Sequence, residues 1–296
     1  NFSVDGGTIK LDGNYPVGTR NVALGDTALD SPSLTGGENT AIGHEALTGN
    51  TSGAGNTALG RSGLAGNTTG SYNSAVGFNS LGANTTGGSN SALSSEVLQV
   101  NTTGSNNTGV GRSALAANTT ASNNTANGVQ ALYSNTTGAS NTANGYGALS
   151  FNTTASNNTA VGYLAGYSNT TGAENTVTGF AAMQYNTTAG SNSAFGSYAL
   201  RNNSTGQYNT SLGSNSLYSN TTASYNTAVG YQAGYSNTTG GYNTLIGGTV
   251  GYSLTTGSFN TFIGHNGFSG SSGYFVTTGS KNTILGGYNG NQGGLD

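Results

Sequence analysis

Apolar and polar positions along this chain repeat in a cycle of 17 residues. With the first Asn of a cycle at position 0, position 2 is mostly Ala (Ala41, Ala58, Ala75, Ala160, Ala228) and position 3 mostly Val, Ile or Leu (Ile42, Leu59, Val76, Val161, Val229, Ile263). Position 7 is mostly Ala and position 8 mostly Leu (Leu47, Leu64, Leu115, Leu217). The marker Asn-Thr or Asn-Ser returns fourteen times without slippage, from Asn39 to Asn260. A constant period of this length is the signature of stacked repeats, because an insertion in one unit would break its register with the next. The apolar spacing does not fit a helix, and Gly recurs too often for one.

Two short strands are predicted per cycle, Thr-Ala-Val and the segment around Ala-Leu, each closed by a turn. Gly fills position 4 in thirteen of the fourteen cycles, Ser94 being the exception, and allows positive φ or close backbone approach. Asn-Thr-Thr-Gly at positions 11–14 supplies the second turn. Strands this short persist only by pairing with the next coil, about 4.8 Å away. The expected fold is all-β, a parallel β-solenoid or β-roll of about sixteen 17-residue coils, spanning on the order of 75–80 Å. Positions 3 and 8 are expected to point inward, so that Val229→Asp would place a charge in the core while Gln232→Lys would be inert. Small residues at positions 2, 4 and 7 let the layers approach closely. So thin a core is expected to draw stability from backbone pairing and from other chains.

The ends depart from the cycle. Residues 1–20 are expected to form an N-terminal cap or attachment segment, 21–281 the array, and 282–296 the final repeat and a C-terminal cap. The last step, from Asn260 to Asn282, is longer, and its insert GFSGSSGYFV is expected to bulge from the array. The cycle opened by Asn90 loses the Gly, gains Glu96 and is expected to mark a kink. Opening on Asn1 rather than Met suits a processed chain or part of a longer one.

Composition narrows the class. Charged residues are only 5% of 296, and the net charge is −3 without a basic patch, which argues against nucleic acid as a partner. Like charges at one repeat position would stack directly above one another, so a solenoid benefits from having few. Gly is abundant but forms no Gly-X-Y triplets, which excludes collagen. No apolar run approaches the length of a membrane span, so no membrane insertion is expected. Cysteine is absent, so no disulfide staples the fold. His44 and His265 share position 5 in distant cycles and cannot pair within one chain. No acidic pair recurs at catalytic spacing and no calcium-binding loop is present, so no catalytic residue, metal site or cofactor is expected and the chain is not expected to be an enzyme.

Two periodic features are candidate sites. Asn50, Asn67, Asn84, Asn101, Asn118, Asn135, Asn152, Asn169, Asn186, Asn203, Asn220 and Asn237 each open Asn-x-Ser/Thr, the N-glycosylation acceptor pattern. Asn1, Asn106, Asn123, Asn157, Asn202 and Asn209 add further copies. The same residues serve equally as turn formers in an Asn/Thr ladder. Tyr133, Tyr167, Tyr218, Tyr235 and Tyr252 share position 9, and Tyr146, Tyr163 and Tyr231 share position 5 with Phe78 and Phe180. Stacked, they form aromatic stripes that could contact a sugar or another chain, or simply cover coil edges. Thr-Thr pairs also occur on ice-binding solenoids, but here they lie in turns.

The motif N-T-A-V-G-Y-x-A followed by N-T-T-G resembles the head repeats of trimeric autotransporter adhesins. With the opening NVALGDTAL from Asn21 to Leu29, it resembles still more the long repeat proteins of bacteriophage fibres, notably of cyanophages. The resemblance covers residues 21 to about 290 and implies a left-handed β-roll with three chains side by side. The 296 residues depart from that family in holding no stretch that reads as a coiled-coil stalk, membrane anchor or chaperone domain, which leaves the mode of attachment open. The expected function is a non-catalytic extracellular fibre on a virion or cell surface, a homotrimer or filament that displays binding surfaces for cell-surface glycans or a receptor. The alternative is a secreted, densely N- or O-glycosylated filament.

Overall fold

In the computed structural model, residues 20–264 and 270–290 are described. They form one sixteen-stranded parallel sheet whose strands follow chain order, from β1 (Val22–Leu24) to β16 (Thr283–Leu285). Equivalent residues of successive coils lie side by side, as Ala41, Ala58 and Ala75 do. The all-β solenoid expected from the period is therefore the fold. The proposed 1–20 cap lies, apart from Arg20, outside the described residues, as does His265.

Each coil has one strand, not two. The strand is the Thr-Ala-Val segment. The Ala-Leu segment is a turn, because positions 6 and 8 adopt the left-handed conformation: Ser62 and Leu64 have φ of 56° and 52°. A third left-handed residue precedes the position-0 Asn, as Tyr72 does at 61°. These reversals turn the chain back on itself within one cycle. Position 4 is more extreme: Gly60 has φ 132° and donates its N–H to Ile42 of the preceding coil at 2.8 Å. A Cβ there would lie 2.7 Å from the carbonyl oxygen of Gly77 on the next coil.

The strand presents position 2 inward and positions 1 and 3 outward. Ala41, Ala58 and Ala75 are fully buried, whereas Leu59 is 45% exposed and Val229 is half-buried. This corrects the expectation that position 3 faces the core. Alternation dictates that only one of two successive strand residues points inward, and the interior beside the strand holds Ala. The leucines of position 8, among them Leu64, Leu81, Leu115 and Leu132, are buried as expected.

Two columns of asparagine complete the interior. At position 0, Asn56 Nδ2 donates to Asn39 Oδ1 (3.1 Å) and to the Gly70 carbonyl (2.9 Å), and its backbone N–H donates to the same Asn39 Oδ1. At position 11, Asn67 Nδ2 donates to Asn50 Oδ1 (2.8 Å) and again to the Gly70 carbonyl. One carbonyl at position 14 thus ties both columns. The column opened by Asn50 runs unbroken to Asn237 and is bounded by buried Leu34 and Leu254. Asn237 Oδ1, with no amide following it, is left buried without a hydrogen-bond partner.

The irregular coils are compensated rather than kinked. Ser94 keeps the glycine-like φ of 124°, and its strand β5 (Ser91–Leu93) pairs in register with both neighbours. Val97 replaces the usual Ala of position 7, and the next coil answers with Gly109, whose Cβ would sit 2.3 Å from Val97 Cγ1. Where position 8 is Gly251 or Gly273, position 2 grows to Leu245 or Phe262. In the insert, residues 271–276 resume the coil: Ser271, Ser272 and Val276 are buried and Tyr274 stacks on Tyr252. This corrects the expectation of a bulge for residues 271–276; residues 265–269 lie outside the described residues.

Candidate interaction surface

The outward residues of the strands make one continuous face. Its inner column at position 1 is Thr or Ser in every strand from β2 to β16, with Val22 in β1, and its outer column at position 3 is mainly aliphatic. Leu24, Leu59, Leu93, Leu212 and Leu285 are more than 40% exposed, and Phe195, Ile246 and Ile263 lie just below that. Backbone hydrogen bonds between coils hold the rise constant, so these side chains repeat at about 4.8 Å along the face. Two coils depart from the aliphatic rule with asparagine: Asn127 in β7 (Thr125–Asn127) and Asn144 in β8 (Thr142–Asn144), both exposed. Thr178 is the remaining polar member.

Five tyrosines expected in a single stripe divide between settings. Tyr218, Tyr235 and Tyr252 stack with centroids 5.0–5.1 Å apart and continue to Tyr274. Tyr167 instead meets Phe151 edge-on, and Tyr133 stands apart, 41% exposed. A second column joins Tyr146, Tyr163 and Phe180 and ends on Tyr198, which meets Tyr218 edge-on. A third, which period reading had not singled out, stacks Tyr208, Tyr225, Tyr242 and Phe259 at position 16. Its signal was an aromatic just before the marker Asn. Within these columns each ring face is covered by its neighbour, so the solvent meets ring edges and hydroxyls. Within the columns, sugar stacking, which needs a free ring face, is therefore confined to the ends; Tyr72, Tyr133 and Tyr231 are exposed outside them.

Arg201 occupies the junction between the first two columns. Its Nη1 donates to Tyr218 Oη at 2.7 Å and its Nε to Gln184 Oε1 at 3.0 Å. Its guanidinium lies 5.0–5.7 Å from the ring centroids of Tyr185, Tyr198 and Tyr218. The aromatic cage is thus already filled by the chain's own cation. Burial pushes the Tyr252 phenol above its ordinary pKa, assisted by repulsion from Tyr235, Tyr274 and Tyr231.

The twelve sequon asparagines from Asn50 to Asn237 are all interior, none more than 1% exposed. Each Nδ2 from Asn67 to Asn237 donates both to a neighbouring Asn and to a backbone carbonyl, as in Asn152 to Asn135 (2.8 Å) and to Ala155 (2.9 Å). A folded coil presents none of these nitrogens to solvent. Asn106, Asn123 and Asn157, by contrast, are exposed. So are the second threonines of the turns, including Thr69, Thr86 and Thr103.

Among the described residues, ion pairs form only at the first coils. His44 lies 3.7 Å from Asp26 and 3.6 Å from Glu45, which accepts a hydrogen bond from Ser62 at 2.9 Å. All are partly or largely exposed. Among the described residues no cluster of His, Cys, Asp or Glu is arranged to hold a metal ion, and no helix is long and apolar enough to cross a membrane. Compared with known proteins, the chain matches no family model, no curated protein and no solved structure.

Proposed function

We propose that this chain is a structural, non-catalytic fibre subunit of a virion or cell surface, working outside the cell and associating with copies of itself. The observation that carries the reading is the outer face of the sheet: an aliphatic column that stays exposed along a rod with one constant pitch. Contiguous apolar surface of this length marks an interaction site. A stack of coils locked to one another by backbone and Asn hydrogen bonds resists bending and has the mechanics of a spacer. Receptor or glycan contact, where it occurs, belongs to the column ends, to the isolated exposed tyrosines such as Tyr133, or to surfaces formed between copies.

Native mass tests this against the 29.2 kDa chain. An integral number of bare chains, three by the resemblance, supports the fibre; a bare monomer at micromolar concentration defeats it. The densely glycosylated filament would have to carry sugars outside the asparagine ladder, on Asn106, Asn123, Asn157 or the exposed turn threonines. A large mass excess removed by deglycosylation would favour that second reading.

A further inference from the structure

A perfectly periodic surface cannot define its own alignment. If two copies meet through the outer face of the sheet, sliding one by a coil brings Thr again onto Thr and aliphatic onto aliphatic. Every slip of about 4.8 Å then gives nearly the same contact, and a fibre would form with ragged ends. Only departures from the repeat distinguish one register from another. The two sharpest departures on this face are Asn127 and Asn144, adjacent in the middle of the rod and flanked by Val110 and Val161. Their exposed side-chain amides make no hydrogen bond within the chain, unlike the laddered asparagines of the interior.

We propose that Asn127 and Asn144 set the register in which copies of this chain pack side by side and parallel. The inference rests on the self-associating fibre reading above. The occupant of the face is a second copy because only a surface with the same rise can follow the aliphatic column over its whole length. The near absence of charge on the face lets identical copies meet without repulsion. In the aligned register each Asn meets its own counterpart, where amide donor and acceptor satisfy one another. A slip of one coil preserves one Asn–Asn contact but sets the other two asparagines against Val110 and Val161. A slip of two coils sets three of them against Leu93, Val110 and Val161 and the fourth against Thr178, so no amide meets an amide. A buried amide without a partner is costly, and a single polar step in an apolar seam is known to select alignment in coiled coils.

The chain has no cysteine, so cross-links can report register directly. Position 3 of the two following coils supplies the probes Val161→Cys and Thr178→Cys. Chains carrying one or the other are mixed, assembled and oxidised, and the disulfides identified by mass spectrometry. With Asn127 and Asn144 present, disulfides between like positions are expected to exceed mixed 161–178 disulfides by about tenfold or more. In the Asn127→Val, Asn144→Val background, mixed disulfides should rise to comparable yield. Valine occupies position 3 elsewhere in the array, so this background keeps the fold, which circular dichroism verifies. Register overturns the proposal if it is mixed before the change, or still aligned after it; either result leaves self-association standing. A monomer by native mass removes both the fibre reading and this one.

Discussion

At the residue scale, backbone conformation and side-chain direction decide most outcomes. Ser94 stands where thirteen other cycles have Gly, at φ 124°. A non-Gly residue in so sparse a region costs about 1–3 kcal/mol. Ser94→Gly is therefore expected to stabilise the chain by about 1 kcal/mol, read as a higher melting temperature; an unchanged or lower one would show that the strain is already relieved. The buried leucines of position 8 carry a similar penalty at φ near 50°, offset by about 1.5–3 kcal/mol from burying the side chain. The two effects are close in size, which explains why Gly166 and Gly234 occur at the same position. Inward and outward positions separate cleanly at Ala228 and Val229. Ala228→Asp should unfold several coils, whereas Val229→Asp should leave the monomer fold intact and impair only association. Circular dichroism and native mass on both variants would expose a reversed assignment.

At the scale of the coil and its columns, neighbouring coils compensate one another. Gly109→Ala drives a methyl group into Val97 and should destabilise by about 1–3 kcal/mol. Adding Val97→Ala restores the usual pair of position 7 and position 2, and the double variant should recover most of the loss; additive losses in a double-mutant cycle would exclude this coupling. The internal asparagine column makes an asymmetric forecast. Asn152→Leu orphans Asn135 Oδ1 and one N–H of Asn169, at about 1–3 kcal/mol for each group. Asn237→Leu merely moves the existing orphan to Asn220 Oδ1 and should change stability by less than about 1 kcal/mol. Equal losses at both sites in denaturant melts would refute the ladder as the source of stability. The tyrosine column responds to alkali. Tyr252 has its pKa raised by folding, so the unfolded chain releases this proton first as pH rises. Its contribution is complete below the ordinary tyrosine value of about 10 and falls as pH climbs above it. Thermal melts from pH 9 to 11 should show this fall, and Tyr252→Phe should lessen it.

At the scale of the whole molecule, stability comes from repetition. Each coil touches only its neighbours, so damage at one coil is expected to remain local unless it severs the stack. The long-range period, the parallel sheet and the poverty of charge were all legible from spacing and composition, because a stack of identical layers permits little else. The surface was less legible. The five tyrosines of position 9 share a phase, but Gln184 and Arg201 interrupt their column, and an edge-on contact between Tyr198 and Tyr218 bridges it to another. Which faces a rod shows to solvent depends on where each coil reverses, and the reversals lie in left-handed residues such as Ser62, Glu96 and Tyr72, whose residue types carry no common signal.

The sequence by itself determined the solenoid: its period, its number of coils, the glycine at position 4 and the turn at Asn-Thr-Thr-Gly. Only the tertiary structure decided the facing of the residues. In a three-residue strand, alternation admits either Thr and Val inside or Ala inside, and the choice follows from the narrow gap opposite the leucines of position 8. The asparagines were open in the same way, since an amide suits a solvated turn as well as a core. They are buried because coil closure brings to each Nδ2 a position-14 carbonyl and, from the adjacent coil, an Asn oxygen 17 residues away.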